Sequence, residues 1–169
     1  TLLAGRYRLI DRQPDGRLGE RHLVEATELG RLAVVEFVNP ALLDDETKRA
    51  DFEVQATSVA SLRHAALLGL LELGRREDGV EYIVTEYPDG EPLEAFLSRE
   101  GPIDASRVVA MGFKLADALA QVHSQGLVHG AVSPKHLFHA VYGDGRELIR
   151  LGGFAPGAPS TDPSLGPDY

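Results

Sequence analysis

The chain has 169 residues, 43% apolar and 25% charged, a composition that supports one sizeable core or two small lobes and argues against wholesale disorder. A formal charge of −9, with no dense basic patch to offset it, argues against nucleic acid or an anionic membrane surface as a partner. Cysteine is absent, which rules out disulfides, thiolate metal sites and thiol redox switching and suits a reducing compartment.

No apolar run approaches the ~18 residues of a membrane span, and the start, Thr-Leu-Leu-Ala-Gly-Arg-Tyr, lacks the layout of a signal peptide. The first residue is Thr1 rather than Met, so a processed protein or an excised fragment is expected, the fragment being favoured.

In chain order, Tyr7 to Ile10 reads as a short strand, followed by the turn-rich stretch Gln13 to Gly19. Residues 21–27 and 31–38 form the next two strands, the second rich in branched and aromatic side chains and closed by Asn39-Pro40. Asp44 to Arg63 is helical, with Phe52, Gln55, Val59 and Leu62 as its buried stripe. Leu67 to Gly74 and Glu81 to Glu86 are strands joined by the turn Glu77-Asp78-Gly79. A short helix follows from Pro92 to Arg99. A longer one runs from Ala105 to Gln125, with Asp104 as N-cap, Gly126 as its end, and an apolar face of Val108, Met111, Leu115, Leu119 and Val122. Leu137–Val141 and Glu147–Leu151 then form a hairpin around Tyr142 to Gly145. Residues 155–169 read as a loosely ordered Gly/Ser/Pro-rich tail.

Residues 128–138, Val-His-Gly-Ala-Val-Ser-Pro-Lys-His-Leu-Phe, carry the most informative pattern. They resemble the catalytic loop of protein kinases, His-Arg-Asp-x-Lys-Pro-x-Asn. His129 and Pro134 are kept, while Gly130, Ala131, Ser133 and His136 stand where that family has Arg, Asp, Lys and Asn. The likeness extends from Gly5-Arg6-Tyr7 to Phe154 and is greatest to bacterial receptor-type Ser/Thr kinases, in segments such as Tyr82 to Tyr87 and Leu127-Val128-His129.

The resemblance implies an α+β, kinase-like fold. Its parts are a five-stranded antiparallel N-lobe with one helix over 1–87, a partial, mainly helical C-lobe over 88–154, and an activation-segment-like tail over 155–169. It also implies that the chemistry is gone. Pro14 replaces the first glycine of the phosphate-covering loop, leaving Gly16 and Gly19, a spacing that an ordinary hairpin turn also explains. Glu36 stands where the phosphate-pairing Lys belongs, and Gln55 stands at its helix partner. Those two either hydrogen-bond to each other or face solvent. Gly153-Phe154-Ala155 replaces Asp-Phe-Gly, so with His136 in place of Asn neither family ligand for Mg²⁺ remains. Imidazole is a poor substitute, because Mg²⁺ prefers oxygen donors. Arg21, Val34 and Phe138 fall at the adenine-binding positions and are each larger than the family residue, beside a gatekeeper-like Thr85. By contrast, Val59, His129 and Phe154 match positions of the family's hydrophobic spine.

The implied function is a pseudokinase: a catalytically inactive, regulatory or scaffolding domain with no ATP, Mg²⁺ or other cofactor. The alternative is a divergent nucleotide-binding sensor or atypical transferase with non-standard ATP contacts. A protein partner or a second copy is expected to cover the helix at 105–125, whose apolar face the absent C-lobe helices leave open. Ser160, Thr161 and Ser164 are candidate phosphorylation sites for a phosphopeptide-binding partner, unless they are simple linker composition. The expected location is the cytoplasm, either free or as the cytosolic part of a larger membrane protein.

Overall fold

The computed structural model describes residues 2–158. Ser160, Thr161 and Ser164 therefore lie outside the described residues. The chain divides into two compact units. Among the described residues the first comprises 2–61, 69–87 and 155–158, and the second contains 62–68 and 88–154.

The first unit is a sheet with one helix. Its strands are β1 (Leu2–Leu3), β2 (Tyr7–Gln13), β3 (Arg21–Ala26), β4 (Arg31–Phe37), β5 (Leu70–Arg75) and β6 (Glu81–Glu86), in the antiparallel order β1-β2-β3-β4-β6-β5. This is one strand more than the five expected. The additional β1 has only two residues and pairs Leu3 with Tyr7, too short a segment to show a period of its own. Strand β2 also runs past Ile10, carried on by a register shift between Leu9 and Asp11.

Alternation along the strands sorts the two faces. Val24, Ala33, Val35, Tyr82 and Val84 are buried together with Leu3 and Tyr7 as one core. The opposite face carries Arg21, Val34, Glu36, Ile83 and Thr85, held level by the pairings Arg21↔Glu36, Glu36↔Ile83 and Val34↔Thr85. Four residues singled out in the sequence thus share one face of one sheet.

Helix α1 (Glu46–Ser61) packs against β5. It starts later than Asp44 because Pro40–Leu43 forms a 3-10 turn capped by Asn39, and Asp45 then accepts from Lys48 N at 2.8 Å. The stripe needs one correction. Phe52, Ala56 and Val59 are the buried helical residues, and Gln55 is exposed. A small residue one position on does the packing.

The second unit joins α2 (Leu93–Glu100) and α3 (Ala105–Ser124) to a three-stranded sheet, β7 (Glu91–Pro92), β8 (Leu137–Val141) and β9 (Glu147–Leu151). The hairpin β8–β9 has the boundaries expected from sequence; β7 was not foreseen. Leu67 and Leu68 do not extend β5. Leu67 instead bridges Leu151, and Leu68 N donates to Leu151 O at 2.9 Å. Helix α3 is capped as expected: Asp104 accepts from Ser106 N, and Gly126 follows at φ +70°. Ala118 and Val122 are its buried residues. Val108, Val109 and Phe113 are 50%, 58% and 75% exposed. Among the described residues no helix is long and apolar enough to cross a membrane.

Candidate functional site

In the first unit the hairpin between β2 and β3 closes on a carboxylate. Gly16 N donates to Gly19 O at 2.9 Å, which shuts the turn. Leu18 N and Gly19 N both point at Glu36 Oε1, at 2.5 and 3.3 Å. The turn is fixed to the strand behind it as well, since Asn39 N donates to Leu18 O and Phe37 N to Glu20 O, both at 2.8 Å. The side chain of Leu18 is buried.

Both surviving glycines are needed for this packing. A Cβ on Gly16 would collide with the Glu36 carboxylate. A Cβ on Gly19, whose φ is +153°, would lie 2.5 Å from Phe37 O. The Gly-x-x-Gly spacing is therefore more than a plain turn: its amides and its missing side chain accommodate Glu36. Burial pushes the Glu36 carboxyl above its ordinary range, opposed by the Leu18 amide, the Arg21 guanidinium, the Gly19 amide and the Arg17 guanidinium. Glu36 and Gln55 do not bond to each other. The Gln55 side chain accepts from Gly157 N at 3.1 Å.

In the second unit the loop 129–136 folds around its own imidazoles. His129 is buried, with Nε2 2.9 Å from Gly152 O and Nδ1 accepting from Ala131 N at 3.3 Å. Its ring meets Phe154 edge-on at 4.4 Å, so these two spine positions do pack together. Ala131, at the position of the family base, is 1% exposed and carries only a methyl group. His136 Nδ1 lies 2.7 Å from Ala131 O and 3.2 Å from Ser133 Oγ. The carbonyl can only accept, so the Nδ1 proton points to it. Gly152 N closes the circuit by donating to His136 O at 2.8 Å.

The imidazole of His136 fills the space beside Gly153. A Cβ on Gly153 would come within 2.6 Å of His136 Cδ2, and Gly153 has φ +77°. A Cβ on Gly152 would meet Leu68 Cδ1 at 2.6 Å first and Phe138, in β8, at 3.2 Å. Among the described residues no group of three or more His, Cys, Asp or Glu side chains is arranged to hold a metal ion. His22, His64 and His139 instead pair with Glu20, Asp117 and Glu147.

Comparison with known proteins matches residues 33–141 to the protein tyrosine and serine/threonine kinase family. The serine/threonine-protein kinase pkn3 of Myxococcus xanthus is 30% identical over 135 residues, which is 80% of this chain and 25% of pkn3. The serine/threonine-protein kinase PknB of Mycobacterium tuberculosis is 29% identical over 138 residues, 80% of this chain and 22% of PknB. This chain thus spans a quarter or less of the length of these curated relatives. The solved PknI kinase domain of Mycobacterium tuberculosis superposes with a TM-score of 0.72 at 24% identity, over 90% of this chain and 60% of that domain. The kinase-like fold expected from the sequence is the fold present.

Proposed function

We propose that this chain, which belongs to the protein tyrosine and serine/threonine kinase family, is a member that no longer transfers phosphate and serves as a protein-interaction or regulatory domain. The observation that carries this reading is the seating of His136 against Gly153. At those positions the family supplies an Asn and an Asp, oxygen donors that hold Mg²⁺ against the phosphates. Here one donor is absent, and an imidazole bonded to a main-chain carbonyl fills the space. The residues present do not fit Mg²⁺. Ala131 cannot accept the proton of an attacking hydroxyl, so the base is missing as well.

The first unit supports the same reading. The Lys that would pair with phosphate is replaced by Glu36, an anion, and like charges repel. Arg21 and Val34, at adenine-binding positions on the sheet face that also carries Thr85, are bulkier than the family residues and oppose entry of a base, and Phe138 in the second unit is likewise bulkier than its family counterpart. Lysine, base and metal act as a unit in phosphoryl transfer, so their joint loss leaves no partial activity to preserve. For interaction, the exposed Val108, Val109 and Phe113 on α3 offer an apolar surface for a protein partner or a second copy.

Isothermal titration with ATP and Mg²⁺, run beside a radiolabelled phosphotransfer assay on a generic acceptor protein, tests the reading. No saturable heat and no transfer above the background without protein are expected. Transfer above background would overturn the proposal. Saturable binding would instead favour a nucleotide-binding sensor or atypical transferase using other ATP contacts.

A further inference from the structure

We propose that the hairpin 14–20 is an oxyanion-binding loop whose resident ligand is the carboxylate of Glu36, so that an external oxyanion such as pyrophosphate is excluded by competition within the chain. The inference deepens the reading above and rests on it. It concerns why the first unit rejects phosphate, whatever the fate of the catalytic loop.

Three observations carry it. Successive main-chain N–H groups, those of Leu18 and Gly19, converge on one oxygen of Glu36, and such converging amides form an anion-binding concavity. The concavity has no room for two occupants, since even one added carbon on Gly16 would overlap the carboxylate. Cations also face it: the guanidinium groups of Arg21 and Arg17 both act to stabilise the ionised carboxylate, while the hairpin's own acids, Asp15 and Glu20, pair with Arg12. Removing the carboxylate would leave two amide donors without their acceptor and the Arg21 and Arg17 guanidinium groups without the carboxylate they stabilise. That is a binding site for an oxyanion, since charge-assisted hydrogen bonds to such a group are strong. With Glu36 in place the same amides are satisfied and the net charge there is one unit lower.

Nitrogen-15 amide spectra of the whole chain, titrated with pyrophosphate alone, separate the cases. In the wild-type protein the Leu18 and Gly19 resonances are expected to stay still across the titration. In Glu36→Ala they are expected to move saturably, with a midpoint about tenfold or more below the highest pyrophosphate concentration that leaves the wild-type resonances still. Glu36→Gln keeps an oxygen to accept from the amides but drops the charge, and should fall between the two, which guards against an alanine variant that fails to fold. The proposal is overturned if both variants leave those amides unmoved, or if the wild-type protein binds pyrophosphate at the hairpin as tightly as they do. Failure of this kind leaves the pseudokinase reading standing. That reading fails separately, through phosphotransfer by the wild-type protein.

Discussion

His136 and Gly153 occupy one space between them: the imidazole lies where a Gly153 side chain would begin. Each substitution relative to the family pattern therefore makes the other tolerable. Restoring the acid alone, as Gly153→Asp, forces a collision and puts a side chain at φ +77°. We expect it to destabilise the protein by about 1–3 kcal/mol. Adding His136→Asn should return part of that loss, with a coupling of about 0.5–3 kcal/mol in a double-mutant cycle. Urea unfolding of the wild-type, two single and one double variant measures it. Additivity within experimental error would show that the two sites are independent.

Glu36 predicts how stability depends on pH. Its carboxyl is raised above the ordinary value of 4.5, so the folded state holds the proton more tightly than the unfolded state. Its contribution is then fully present below the unfolded value and declines as pH rises through the folded one. Glu36→Gln removes that dependence. Relative to wild type, the variant should become more stable as pH rises from 4 to 7, measured by urea midpoints at each pH. A stability difference that is flat or moves the other way would contradict the burial of this carboxylate.

The contrast between these sites shows what was legible beforehand. The β8–β9 hairpin and the capped helix α3 rest on local signals, an Asp-Gly turn and an Asp N-cap, and a sequence carries these whole. The kinase-like frame could be read because its motifs recur at fixed spacing. What each substituted residue would touch could not be read. Glu36 meets a turn 17 or 18 positions earlier, and His136 meets a glycine 17 positions later, contacts set by register and not by neighbours in the chain. Gln55 misled for a related reason. The three- and four-residue steps place it and Ala56 nearly side by side on α1, and packing chose the smaller. The two-residue strands β1 and β7 are too short to carry any period.

Tyr7 and Glu72 predict behaviour at the alkaline end. The buried Tyr7 hydroxyl donates to Glu72 Oε2 at 2.6 Å, and burial together with that carboxylate pushes its pKa up to about 12. The folded state therefore holds this proton more tightly than an unfolded chain, whose tyrosines ionise near 10. Its stabilising contribution is intact below pH 10 and is lost as pH climbs toward 12. Tyr7→Phe should weaken the fold by about 1 kcal/mol at pH 7, the usual value of one hydrogen bond. It should also remove the last-ionising component of the tyrosinate absorbance at high pH. An unchanged absorbance titration would mean that the Tyr7 hydroxyl is open to solvent.

The apolar surface of α3 sets the final test, since the interaction role proposed for the domain depends on it. Phe113 is 75% exposed and Val109 58% exposed, on a helix whose buried residues are Ala118 and Val122. Side chains so exposed contribute little to folding, so substituting them should change stability by no more than about 0.5 kcal/mol. Their effect should appear in association. The protein is expected to self-associate as its concentration rises, and Val109→Lys with Phe113→Glu should abolish this while leaving thermal unfolding of the dilute protein nearly unchanged. Light scattering over a concentration series reads the first effect and calorimetry the second. If the unaltered protein stays monomeric throughout, the second copy is eliminated as the occupant of this face. If the double variant instead loses several kcal/mol of stability, those side chains belong to the core and the face is no docking surface.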